Sequence, residues 1–326
     1  MRDPNALGGK FMNVEDSPRL AARLGITALF ALTAGCNGSA GAPPTTNTSA
    51  VTTQTRTASA PAHSGRELYV STIDGGSVVV YSAGSNPTLL QTITDGVPRP
   101  GGIWVDKHGV LYAVNVPDAY YQTSLPEYKL GASNPFQTIT DGIVNCGEVA
   151  VDSKGNVYVT GIDTANGSFF LEIYPKGKLS PSETLTIPHT GTSDPAGLAF
   201  DSTGALLVGE SSLGSSSGAV YRLPAGSQTF TNLNLDKAPG GAIAVDAAGN
   251  LYVGGGSIAV YPPNSQKPAR TINVPHGVSA LTLGSNGELY VGSFESVLKY
   301  APHAKNPKTT FGVPGHVGGL ALSPQR

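Results

Sequence analysis

Five near-copies of one hairpin constrain this chain more than any other feature. "VDKHGVLYAVN" at 105, "VDSKGNVYVTG" at 151, "FDSTGALLVGE" at 200, "VDAAGNLYVGG" at 245 and "LGSNGELYVGS" at 283 each lead an apolar stretch into a short polar turn and out again. In four of them an Asp (Asp106, Asp152, Asp201, Asp246) stands three residues before a Gly (Gly109, Gly155, Gly204, Gly249). An Asp side chain bonds backbone groups inside a tight turn, and Gly accepts the positive φ that such a turn needs. A calcium loop would need several carboxylates where "DSKGN" and "DAAGN" carry one each. The copies are therefore read as strand–turn–strand units, and a period of this kind decides architecture before anything else.

The period extends beyond the hairpin. Strand-like runs end in Tyr81, Tyr128, Tyr174, Tyr221, Tyr261 and Tyr300, and "LYV"-type runs begin at Leu68, Leu111, Val157, Leu206, Leu251 and Leu289. A third set precedes the turns: "GGIWVD", "GEVAVD", "AGLAFD", "GAIAVD", "SALTLG" and "GGLALS". A weaker fourth strand lies between, as in "LLQTITDG" and "PFQTITDG". Four strands in each of six units predict an all-β, six-bladed β-propeller with four antiparallel strands per blade, spanning 66–326. The 42 glycines, 25 prolines and only 13% charged residues suit short strands joined by turns. Eleven of the 13 tyrosines fall at repeat positions, where they are read as packing between sheets. The run enters at a second strand (Leu68) and leaves after a first strand (Gly318–Ser323), so the C-terminal strand is expected to join the N-terminal blade and close the ring. The pattern resembles the NHL-repeat and gluconolactonase-like propellers over nearly all of 66–326, a scaffold that hosts many unrelated activities.

The chain ahead of the repeats reads as an address. "RLAARLGITALFALTAGC" (19–36) places two arginines before an apolar stretch too short to cross a bilayer but right for a secretory signal, with Met12 a start that gives it ordinary length. Its end, "LTAGC", resembles a bacterial lipobox, which implies lipidation of Cys36; an ordinary signal peptide with an incidental Cys is the alternative. Acyl chains would hold the protein on a membrane. Asn37, rather than Asp, after the Cys favours the outer membrane over the inner. Residues 37–65 are nearly all Ser, Thr, Ala, Gly and Pro, with too little apolar surface to order themselves, and read as a disordered tether. With Cys36 lipidated, Cys146 is the one thiol left and no internal disulfide forms.

Composition narrows the partners. The formal net charge is −2 and no Lys/Arg run follows residue 23, which argues against nucleic acid as a partner. A monomer is expected.

In a repeat protein, residues that break the consensus without a packing reason are the candidates for function. Gly102, Gly197, Ala242, Ala280 and Gly319 share one position at the start of the first strands, where six strands should converge; the sixth is Glu148. A carboxylate there is expected near the axis with its pKa raised by desolvation, or else bonded to backbone or water in a wide channel. Three residues upstream stand Arg99, Asn145, Asp194, Pro239, Gly277 and His316, with His276 one position earlier in its own loop. This polar ring suits an anionic ligand or a divalent cation. The gluconolactonase resemblance implies Glu148, Asn145 and Asp194 as metal ligands, with His276 or His316 beside Glu148 as acid–base candidates. It departs from the family in drawing Glu148 and Asn145 from one unit and in lacking a second matching Asn. Streptogramin lyases, propellers that use His and Glu with magnesium, have seven blades where this chain counts six. Cys146 invites a nucleophile reading with His316 or His276 as base, against a plain buried thiol. Tyr120 and Tyr121, in the inserted loop "VPDAYYQTSLPE", stack on a ligand or pack on their own loop base.

The resulting expectation is a cell-envelope lipoprotein whose propeller binds a small molecule, glycan or protein at its channel without chemistry. A metal-dependent, lactonase-like hydrolase or a lyase at the channel mouth is the alternative. The sequence requires no cofactor; a calcium, magnesium or zinc ion is the one its polar ring admits.

Overall fold

The computed structural model describes residues 65–117, 123–163, 166–189, 193–212 and 218–324. The signal, Cys36, the tether up to residue 64, and Tyr120 with Tyr121 lie outside these residues.

The described residues form 24 strands in six four-stranded antiparallel sheets. The chain opens with β1 (Glu67–Thr72), β2 (Ser77–Ser82) and β3 (Leu89–Ile93). The second sheet is β4 (Pro100–Val105), β5 (Leu111–Asn115), β6 (Leu125–Tyr128) and β7 (Gln137–Ile139). The third is β8 (Cys146–Val151), β9 (Val157–Asp163), β10 (Ser168–Tyr174) and β11 (Glu183–Ile187). The fourth is β12 (Ser193–Phe200), β13 (Leu206–Ser212), β14 (Gly218–Leu223) and β15 (Thr231–Asn232). The fifth is β16 (Ile243–Val245), β17 (Leu251–Gly254), β18 (Ser257–Tyr261) and β19 (Arg270–Asn273). The sixth is β20 (Ala280–Leu283), β21 (Leu289–Ser293), β22 (Ser296–Tyr300) and β23 (Thr309–Gly312), and β24 (Val317–Leu322) ends the chain. β24 does not extend the sixth sheet. It pairs with β1 from Leu68↔Leu322 to Thr72↔Val317, giving the first sheet the order β24-β1-β2-β3. The seam is finished by Glu67 N donating to Ser323 Oγ at 2.8 Å and Ser323 N donating to the Glu67 carbonyl at 2.9 Å.

Strand sequences explain why the sheets stack. β1, β5 and β17 are buried along their whole length, because each blade is covered on both faces by neighbours. Apolar clusters form between blades rather than within one. Val78, Val80 and Ile93 of the first meet Ile103, Leu111 and Tyr128 of the second. Leu68 and Val70 of the first meet Tyr290 and Val297 of the sixth, so the circle of cores is complete. The repeat tyrosines add a polar tie across these seams. Tyr128 donates to the Asp95 carbonyl, Tyr174 to Asp141 and Tyr261 to Asp236, each partner lying in the connection that leaves the preceding blade.

The repeated hairpin is an Asp-locked turn. Asp152 Oδ1 accepts from the N–H groups of Lys154 and Asn156 at 2.8 and 2.9 Å, while Gly155 sits at φ +90° and donates to the Asp152 carbonyl. The same double acceptance recurs at Asp106, Asp201 and Asp246. These carboxylates are occupied by backbone donors.

Register sorts the connections onto two faces. Each first strand begins at one face and ends at the other, four of the six in an Asp–Gly turn; pairings such as Leu111↔Tyr128 and Val157↔Tyr174 bring the third-to-fourth connections to that same turn face. The opposite face carries the connections into first strands and the second-to-third turns.

Candidate functional site

The first strands β4, β8, β12, β16, β20 and β24 converge on the axis. Their backbones approach so closely that a Cβ at Gly197 would lie 2.7 Å from Ile243 N, and one at Gly319 would lie 2.9 Å from Ile103 N. Small residues at this position are thus a packing requirement. Register confirms the equivalence: Ile103, Val149, Leu198, Ile243, Leu281 and Leu320 each face the matching residue of their second strand, and the residue before each is Gly102, Glu148, Gly197, Ala242, Ala280 or Gly319.

Glu148 is admitted by two local features. The β8–β9 ladder shifts register between Cys146 and Val149, a bulge of the kind that re-aims a side chain. Its neighbour across the seam is Gly102, where a Cβ would stand 2.5 Å from Glu148 Oε2 and 2.7 Å from the Gly147 carbonyl oxygen. The Glu148 N–H donates to the buried Thr160 hydroxyl at 3.1 Å. Its carboxyl makes no hydrogen bond to the described residues. The side chain is half-buried: it keeps contact with the channel, yet protein surrounds it on all sides. That encirclement, by desolvation, pushes its pKa up to about 8, so the carboxyl is mainly neutral at pH 7. The sequence expectation of an axial carboxylate with a raised pKa matches this geometry.

Glu148 opens into a channel cavity of about 310 Å³, walled by Ile103, Val149, Leu198, Ile243, Leu281 and Leu320 and ending at Arg66, Asp106 and Lys107 on the turn face. The other predicted residues are not in its lining. Arg99, half-buried, donates from its backbone N–H to Asn115 Oδ1 at 2.9 Å. Asn145 is half-buried with φ +47°, and Asp194 pairs with Ser211 in the β12–β13 ladder. His276 is exposed at φ +63°. His316 is bonded through Nδ1 to the Asp74 carboxylate and lies edge-on to Phe294, ring centroids 4.3 Å apart. The structure therefore separates two sets: Glu148 in the channel, and the polar residues around the loops that lead into the first strands. Sequence reasoning missed Asp74 and Thr160; "STIDGG" gives no hint that Asp74 meets a histidine 242 positions away.

A resident cation fits this donor set poorly. Among the described residues no three His, Cys, Asp or Glu side chains come together as a cage. Glu148, whose burial favours the neutral form, shares neither a cavity nor a hydrogen bond with Asn145 or Asp194 among those residues. Cys146 is equally unsuited to attack. Its thiol is buried, donates to the Val144 carbonyl at 3.5 Å, and has its pKa pushed up to about 12, chiefly by burial. In a Cys36→Ser chain, Cys146 is expected to resist maleimide labelling until denaturant is added; rapid labelling of the native protein would contradict its burial.

No protein-family model and no curated protein match the chain. Solved structures do. A protein of unknown function from Bacteroides caccae superposes with a TM-score of 0.57 at 11% identity, over 79% of this chain and 98% of its own. A gluconolactonase from Xanthomonas campestris superposes with a TM-score of 0.51 at 16% identity, over 70% of this chain and 79% of its own. The likeness is one of fold. It extends to gluconolactonase propellers and carries no residue-level correspondence at these identities.

Proposed function

We propose that this chain is an exported, lipid-anchored protein of the cell envelope, on the outer rather than the inner membrane, whose propeller binds a compact, uncharged ligand in its channel without chemistry. One observation carries the binding reading: at the single position where Glu replaces Gly or Ala around the axis, the carboxyl faces the channel cavity and lacks a hydrogen-bond partner among the described residues. A carboxyl partly withdrawn from water without a protein partner loses hydration, and a ligand acceptor would complete it. In its neutral form a carboxyl donates one O–H and accepts on the other oxygen. The cavity lies at the small end of ligand pockets, roughly 300–1,000 Å³. Small neutral molecules with one strong acceptor fit that description best.

Native mass spectrometry of protein purified from envelopes is expected to show a non-covalent adduct that Glu148→Leu loses. Hydrolysis of glucono-δ-lactone, dependent on added calcium, magnesium or zinc and abolished by Glu148→Gln, would replace this reading with a hydrolase. Radiolabelled palmitate entering the wild type but not Cys36→Ser is expected for the anchor; no incorporation would remove it.

A further inference from the structure

The two faces of the propeller differ in charge in a way that the sequence order conceals. Among the described residues, the turns and strand ends of the channel-entry face hold Asp74, Asp163 and Glu295, against Arg99. On the turn face of the second and third blades, Lys107, Lys129, Lys154, Lys176 and Lys178 are all exposed. Of the carboxylates near that sector, the exposed Asp95 and Asp141 lie at its outer edge, where Tyr128 and Tyr174 donate to their backbone carbonyls, and the others are hydrogen-bonded or buried. Asp106 and Asp152 are turned inward onto their own turns, Glu127 is buried, and Glu183 accepts from Gln228. The lysines belong to one surface. Lys107 Nζ reaches the Ser153 carbonyl in the next blade's turn at 2.6 Å, and a Cβ on Gly155 would touch the Lys176 stem at 3.1 Å.

Apolar side chains stand among them. Of six large hydrophobic residues exposed in the described chain, four lie on this face in three consecutive blades: Leu89, Leu130, Phe136 and Leu179, from 39% to 58% exposed. Lys129 caps the Phe136 ring at 5.5 Å. Single exposed hydrophobics need no explanation, but several interleaved with a cluster of exposed lysines do. The chain also enters the propeller here. β1 begins at Glu67, next to Leu68 and its partner Leu322, at the turn-face end of the sheet.

We infer that the lysine-rich turn face of the second and third blades seats on an anionic lipid surface, with Leu130, Phe136 and Leu179 entering the headgroup region. Basic side chains are drawn to the negative potential of such a surface, and apolar ones add burial at its boundary. The face needs only the described residues, so it stands independently of the channel ligand and of lipidation at Cys36.

The test uses the full chain carrying Cys36→Ser, so that no acyl chain contributes. It is expected to co-sediment with vesicles of phosphatidylcholine containing about 30% phosphatidylglycerol, and much less with phosphatidylcholine alone. Raising salt from about 0.1 to 0.5 M is expected to weaken binding at least tenfold, since the Debye length shortens about twofold. Combined Lys107→Glu, Lys154→Glu and Lys178→Glu should weaken it at least tenfold with an unchanged circular dichroism spectrum. Phe136→Ser with Leu179→Ser should weaken it at least threefold, and Lys237→Glu, outside this sector in the connection between the fourth and fifth blades, should leave it intact. Equal binding to neutral and anionic vesicles, or insensitivity to the lysine substitutions, would overturn the inference. So would binding to soluble polyglutamate but not to vesicles, which would assign the patch to an acidic protein partner.

Discussion

A chain ending at His316, with residues 317–326 removed, is expected to lose the cooperative unfolding transition of the propeller. The deletion takes away the whole of β24. That strand is the innermost of the first sheet, and no other strand can take its ladder with β1. Its loss removes Val317 and Leu320 from the core shared by the first and sixth blades, and bares Leu68 and Val70. Ala321 goes from the core between the first and second. Burial of a Val or Leu side chain is worth about 1.5–3 kcal/mol, so several such losses consume most of a typical net stability of about 5–15 kcal/mol. The unpaired edge of β1 adds an open template for aggregation. Near-ultraviolet circular dichroism during heating reads the outcome. A truncated chain melting in one transition within a few degrees of the full chain would show that the ring does not depend on its seam.

Glu148→Gln is expected to leave stability almost unchanged at pH 4 and to raise it by about 2 kcal/mol at pH 9. The sign follows from burial. The folded-state pKa lies near 8, above the ordinary carboxylate value of 4.5. The folded protein therefore holds this proton more tightly than the unfolded chain does. The contribution is complete below pH 4.5 and is lost as pH rises from there through about 8, where the wild type must ionise a carboxyl in the channel. Each pKa unit corresponds to about 1.4 kcal/mol, reduced here because the channel keeps part of the group in water. Burial also raises the pKa of Glu127 and Glu172, which slopes stability the same way in both proteins, so the difference between them isolates Glu148. Urea titrations at the two pH values check this, and an equal difference at both would mean that Glu148 does not titrate in the folded channel.

The blades were legible because each rests on local chemistry that repeats: an Asp that caps its own turn, a Gly at positive φ, and a Tyr ending the third strand. The closing strand was legible from phase alone, since the repeat begins on a second strand and ends on a first. Glu148 could be found because crowding at the axis admits only small residues, so one large polar exception stands out. Offsets along the strand located Asn145, Asp194, Arg99 and His316 at one level, but an offset does not say where a side chain points. Asn145 adopts a left-handed backbone, and His316 is held by Asp74 from the far end of the chain, a pairing created only by ring closure. The lysine face was hidden for a related reason. Its members are spread from Lys107 to Lys178 without forming a run, and only the alternation of strand direction gathers them.

The place where β1 starts has a mechanical consequence. A pull through the chain preceding Glu67 acts along the length of β1, which is hydrogen-bonded to β24 on one side and β2 on the other. Ladder bonds run across the strand, so such a load shears both ladders at once instead of peeling them pair by pair. The blade assembled from both ends of the repeat is thereby the one suited to bear tension.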